Sequence, residues 1–276
     1  TVFSIFQTSP NFGQGWPKLA LSAFLHQGNR ILSGIPIPSR LRTEIGGKKV
    51  DISLKTNYPF ESRFVYEVDC QEGTTFCLQL RVPSYAKEPL LNGRPVHSGT
   101  GVSVEIRGKT SVALEYQTQP VLLDRPYGLK SVRCGPLVFS LPIAYQKRKL
   151  EFERDGVERK FPYCDYEYIG QSPWSFGFSS RRFEKEERGV TAVPFSSEHP
   201  PVVLKAKLKQ IDWGFEDGYE TVCAKTPNSL RPLSEEVELA LYPYGCAKLR
   251  MTKLPLLAEQ DQWQAPNARA ARQSQG

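Results

Sequence analysis

The sequence predicts a mainly β protein, with two consecutive antiparallel β-sandwiches preceded by one helix. Three observations carry this reading. Phe76, Leu78, Leu80 and Val82 recur at every second position, so they share one face of an extended strand while Cys77, Gln79 and Arg81 face the other way. The 22 prolines and 21 glycines suit many short strands joined by turns. At 276 residues and 39% hydrophobic content, the chain is long and apolar enough for two sandwiches of ordinary size.

The helix comes first. In NFGQGWPKLALSAFLHQGN, from Asn11, residues Trp16, Leu19, Ala20, Ala23 and Phe24 form the stripe of an amphipathic helix over Trp16 to Gln27. Pro17 fits its first turn and Gly28 its stop. After Gly28 the period becomes two: Val50, Ile52 and Leu54 alternate with Asp51, Ser53 and Lys55. TNYPF at 56 to 60 is a proline-marked break. Phe64 to Val68 and the strand ending at Val82 flank the short polar stretch Gln71 to Thr75, and read as antiparallel partners in a hairpin. Asn92-Gly93 signals a tight turn, because both of its central positions need positive φ. Val102, Val104 and Ile106 form one further strand, and Val112, Leu114 and Tyr116 the next.

In the second half, CGPLVFSLPI (Cys134 to Ile143) is apolar on both faces and reads as buried on both sides. Lys147 to Lys160 mixes six basic with four acidic residues and reads as a surface hairpin or loop. SPWSF (Ser172 to Phe176) reads as a core anchor under a loop, with a sugar-stacking platform as the alternative. Leu204, Ala206 and Leu208 alternate with Lys205, Lys207 and Lys209, a strand with a basic outer face. Val237 to Leu241 and the segment to Met251 complete the strands. From Glu259 no apolar period remains, and the tail reads as disordered.

The formal charge of +7 comes from interspersed charges and describes a solvated mixed surface rather than a nucleic-acid site. No apolar run approaches the roughly 20 residues of a membrane span, and TVFSIFQTSP lacks the start of a signal peptide. The start at Thr1 reads as a fragment or a processed chain, and the compartment stays open. Six cysteines at 70, 77, 134, 164, 223 and 246 include no C-x-x-C pair, so free thiols are the default, and spacing does not establish a Cys70–Cys77 disulfide.

Eight segments in order resemble one family, the six-hairpin glycoside hydrolases related to bacterial β-L-arabinofuranosidases. They are NFGQGWPK at 11–18, TNYPF at 56–60, LQLRVPSYA at 78–86, LNGRPV at 91–96 and CGPLVFSLP at 134–142, followed by DYEYIGQSPWSF at 165–176, PPVVLKAKLKQI at 200–211 and YPYGCAKLRMTKLP at 242–255. The resemblance implies an (α/α)6 barrel followed by two β-sandwiches. On that pattern residues 1–28 are the remnant of the last barrel helix, 29–125 the first sandwich, 126–258 the second and 259–276 a disordered tail.

It also implies a retaining hydrolysis by a zinc-bound cysteine thiolate with a glutamate as acid. The family's Cys-Cys pair falls at positions occupied here by Gln7 and Thr8, neither of which supplies a thiolate. The acid and the other ligands belong to the barrel. Cys134 and Cys246 sit in β motifs and have no support as replacements. No catalytic, cofactor-binding or metal residue is therefore assigned, and zinc is expected in the complete family enzyme but not in this chain. The expected partners are the helical barrel and, further, carbohydrate, with no nucleic acid and no membrane. The function implied is the C-terminal β region of such a hydrolase, supporting its barrel; the alternative is a stand-alone carbohydrate-binding or protein-interaction module.

Overall fold

The computed structural model describes residues 9–219 and 222–257, and the chain divides into two units. One runs up to Gln119 and includes Cys134–Leu137; the other comprises Pro120–Arg133 and the chain from Val138. Gln7, Thr8 and the expected tail 259–276 lie outside the described residues.

The first unit holds helix α1 (Ser9–Leu21) and ten strands. These are β1 (Phe24–Gln27), β2 (Arg30–Ser33), β3 (Ser39–Ile45), β4 (Lys48–Lys55), β5 (Arg63–Cys70), β6 (Thr75–Arg81), β7 (Lys87–Leu91), β8 (Arg94–Pro95), β9 (Gly101–Arg107) and β10 (Thr110–Gln117). They form a four-stranded sheet, β1-β2-β6-β9, and a six-stranded one, β3-β4-β5-β10-β7-β8. Alternation decides which side chains meet. Ile52, Phe64, Tyr66 and Leu114 from one sheet share a single buried cluster with Ile31, Phe76, Leu78 and Leu80 from the other. All pairings in this unit are antiparallel except β2 on β6, where Ile31 stands beside Leu78 in parallel register. Asn92 and Gly93 join β7 to β8 with φ of 48° and 76°, the two positive values their dipeptide predicts.

The structure departs from the sequence pattern at two places. β5 and β6 are not hairpin partners: they lie in different sheets, and the stretch from Gln71 to Thr74 arches from one to the other. Thr74 closes the arch, its hydroxyl donating to the Gln71 carbonyl at 2.6 Å. Alternation fixes which face is buried, and an arch buries the same faces as a hairpin would, so the pattern does not identify the partner.

The helix also ends earlier than its stripe predicts. The Ser22 amide donates to the Lys18 and Leu19 carbonyls, Ala23 turns into the core, and Phe24 begins β1 opposite Ser33. Gly28, at φ 58°, is the first residue of the two-residue turn from Gln27 to Arg30. Pairing with β2 supplies ladder hydrogen bonds and core contacts for Phe24, while Ala23 is buried and its carbonyl accepts from the Gly34 amide at 2.9 Å, contacts that an exposed helical turn lacks.

The second unit contains β11 (Pro120–Asp124), β12 (Leu129–Cys134), β13 (Leu137–Pro142), β14 (Tyr145–Leu150), β15 (Phe152–Arg154) and β16 (Val157–Arg159). It continues with β17 (Asp165–Gly170), β18 (Phe176–Glu187), β19 (Val202–Gln210), β20 (Val237–Pro243), β21 (Arg250–Met251) and β22 (Leu254–Pro255). Its main sheet runs β11-β12-β13-β20-β19-β18. β22 pairs with β12, and the neighbouring Leu256 bridges to Phe178 in β18, so the C-terminal segment joins both sides of the sheet.

Consecutive residues Phe139, Ser140 and Leu141 are all buried, as a strand covered on both faces requires. The charged stretch forms the exposed hairpin β15–β16 beside the ladder β14–β17. On β19 the lysines are matched by carboxylates: Lys205 lies 3.2 Å from Glu184, and Lys207 3.1 Å from Glu236.

Candidate functional site

The second unit carries an open groove of about 1280 Å³. One wall is set by the β14–β17 register, which places Arg148 directly opposite Glu167, with their charged atoms 2.6 Å apart. After β17 the chain is held by two bonds to Ala144: its carbonyl accepts from the Gln171 amide at 2.7 Å, and its amide donates to the Ser172 hydroxyl at 2.9 Å. This delivers Trp174 to the groove through the rigid step of Pro173.

The Trp174 ring lies 5.3 Å from Phe215 and 5.9 Å from Trp213, tilted 42° and 59°. Trp213 is buried and its indole N–H donates to the Ala224 carbonyl at 2.8 Å, so it anchors the trio, while Phe215 is 48% exposed. The opposite wall is the turn Tyr244–Cys246 and the segment after it. There the Arg250 guanidinium stacks 3.5 Å over the Tyr244 ring and donates to the Ala247 and Lys248 carbonyls. Tyr244 remains 49% exposed.

This arrangement can hold a ligand with both apolar and hydroxyl-rich faces. Hydrolysis of a glycosidic bond is usually carried by two carboxyl groups, and Glu167, already ion-paired, is the one carboxylate lining the groove among the described residues. Of the residues singled out in the sequence, Trp174 is both an anchor and a groove-lining ring, whereas Trp16 stands on α1 of the first unit, 65% exposed. Glu167 and Tyr244 lie in two of the segments that carry the family resemblance, but neither they nor Arg148 and Phe215 were marked there as groove residues, because loops and cross-strand register bring them together.

The first unit has a smaller cavity of about 230 Å³, lined by Tyr58, Tyr66, Tyr85 and Tyr116. The Tyr66 hydroxyl meets the buried Ser33 hydroxyl at 2.9 Å. Burial pushes Tyr58 and Tyr66 up to about 12 and raises Tyr116 as well; Tyr85 adds to the rise at Tyr58 and Tyr116. These phenols stay protonated across the physiological range, and the cavity reads as packed core with polar tips.

Residues 31–118 match the family model of the β-L-arabinofuranosidase GH127 middle domain. This part of the first unit is similar to a GH127 middle domain. Solved structures extend the likeness in fold beyond the GH127 middle domain to most of the chain. A GH127 β-L-arabinofuranosidase from Geobacillus stearothermophilus T6 is similar at 17% identity and a TM-score of 0.58, over 89% of this chain and 36% of its own. A structure described as a glycoside hydrolase gives 17% and 0.56 over 92% and 40%, and a GH127 β-arabinofuranosidase gives 13% and 0.52 over 92% and 39%. This chain thus spans well under half the length of these structures. No curated protein matches it.

The residues present do not fit the zinc implied by the family resemblance. Among the described residues, no three of His, Cys, Asp and Glu gather into a group able to hold a metal ion. Burial pushes Cys246 up to about 11, which disfavours the thiolate that zinc needs. Cys134 is buried with its Sγ 3.4 Å from the Thr118 hydroxyl, and all six cysteines are free.

Proposed function

We propose that this chain is the C-terminal β region of a β-L-arabinofuranosidase-like glycoside hydrolase, carrying and stabilising a helical catalytic barrel without catalysing the reaction itself. The observation that carries this reading is the GH127 middle-domain match at 31–118, with a likeness in fold that runs over nine tenths of the chain but well under half of each relative. Two features favour the supporting role. At the N-terminal side, Trp16, Leu21 and Leu25 are exposed on α1 and β1, apolar surface of the kind a packed partner covers. Among the described residues, the groove of the second unit, in turn, is lined by one carboxylate rather than the pair that most glycosidases use.

On this reading the nucleophile and the acid belong to the barrel, and α1 is the remnant of its last helix. Sequencing the transcript upstream of Thr1 tests it. An in-frame segment coding for a helical barrel is expected; a start codon near Thr1 preceded by in-frame stops would overturn the reading in favour of a stand-alone module.

A further inference from the structure

We propose that the groove of the second unit binds saccharide, seating sugar rings against Trp174, Phe215 and Tyr244. A sugar ring offers a face of C–H groups bordered by hydroxyls, and the groove supplies a counterpart to each. Trp174 and Phe215 form an angled aromatic wall, and Phe215 keeps nearly half its surface free. Tyr244 has one face covered by Arg250 and is half exposed, so a ring face remains for a ligand.

Arg148 and Glu167 provide the polar border. The guanidinium carries five N–H donors, and the carboxylate, whose Oε2 is buried against Arg148, has Oε1 as a further acceptor, more than their one contact uses. Lys248 lies exposed on the lining and adds a donor suited to a uronate carboxyl group. An apolar protein face would fit the aromatic rings, but it would desolvate the Arg148–Glu167 pair and Lys248 without hydrogen-bonding them. Sugar hydroxyls replace the water on those groups. The groove stands on the side chains of the second unit, so its test and the transcript test of the hydrolase reading fail separately.

Affinity electrophoresis of the full chain in native gels containing soluble arabinan, arabinoxylan or homogalacturonan decides the matter. Retarded migration is expected in at least one gel. Phe215→Ala and Tyr244→Ala, both at half-exposed positions, should each weaken apparent affinity about tenfold, while Trp16→Ala leaves it unchanged. Glu167→Gln, which keeps the side-chain shape, should also weaken it. Retardation by arabinan or arabinoxylan marks a neutral ligand; retardation by homogalacturonan alone marks a uronate held by Lys248. Unretarded migration in all three gels, or equal retardation of wild type and both aromatic variants, would overturn the proposal.

Discussion

Leu80→Ala should empty the centre of the first sandwich. Leu80 has 0% exposure and sits on β6 between Ser33 of β2 and Val102 of β9, facing the other sheet. The substitution removes three carbons, about 2.4 kcal/mol of transfer free energy at about 0.8 per carbon. Its close-packed neighbours relax only in part, so the cavity left behind raises the expected loss to about 3–5 kcal/mol. Gln79 is the internal control. It is half-buried on the opposite face, its amide donating to the Ser103 hydroxyl over a long 3.4 Å, and Gln79→Ala should cost about 0.5 kcal/mol or less.

The buried core of the first unit contains no tryptophan, so the assay is amide exchange by mass spectrometry across a urea series. Peptides from β5, β6 and β10 report the first unit directly. Equal losses for the two variants would refute the assignment of β6 as a strand buried on one face only.

Other outcomes follow from the same structure. Tyr66→Phe leaves the buried Ser33 hydroxyl without its partner, and should cost about 1–3 kcal/mol in urea unfolding at neutral pH. Because Tyr66 is raised to about 12 against about 10 unfolded, its stabilising contribution is complete below pH ~10 and lost as pH rises towards ~12. Tyr66→Phe should therefore flatten the alkaline fall in stability, and an unchanged slope would contradict the burial of the phenol. Deleting residues through Leu21 should leave the first unit folded and reduce self-association, whereas deletion through Gln27 also removes the buried Ala23 and β1 with its core residue Phe24, and should lower its unfolding midpoint. Equal midpoints for the two truncations would contradict the end of the helix at Leu21.

Much of the fold was legible because its strands obey a strict period of two. Val50, Ile52 and Leu54 on β4, like Phe76, Leu78 and Leu80 on β6, are buried where alternation puts them. Asn92-Gly93 specified its turn through backbone sterics alone. Strand pairing was less legible: β5 and β6 carry the pattern of a hairpin, yet the Gln71–Thr74 arch sends them to different sheets. At the N-terminus two periods overlap, since Ala23 and Phe24 complete a helical stripe, while the Gly34 amide holds the Ala23 carbonyl and pairing with β2 holds Phe24 beyond the helix. The groove was hardest to see, because Arg148, Trp174, Phe215 and Tyr244 are scattered over about a hundred residues and meet only through the β14–β17 register and three loops. Trp174 alone stood out, through the proline beside it.

The release of 4-nitrophenol from its β-L-arabinofuranoside by the purified chain, with and without added zinc, tests most directly whether these β units lack catalysis of their own. No release above the buffer blank is expected in either condition, because among the described residues no set of side chains supplies a zinc-held thiolate and the groove is lined by a single, ion-paired carboxylate. Steady turnover that scales with protein concentration would contradict this and place the chemistry within the chain itself.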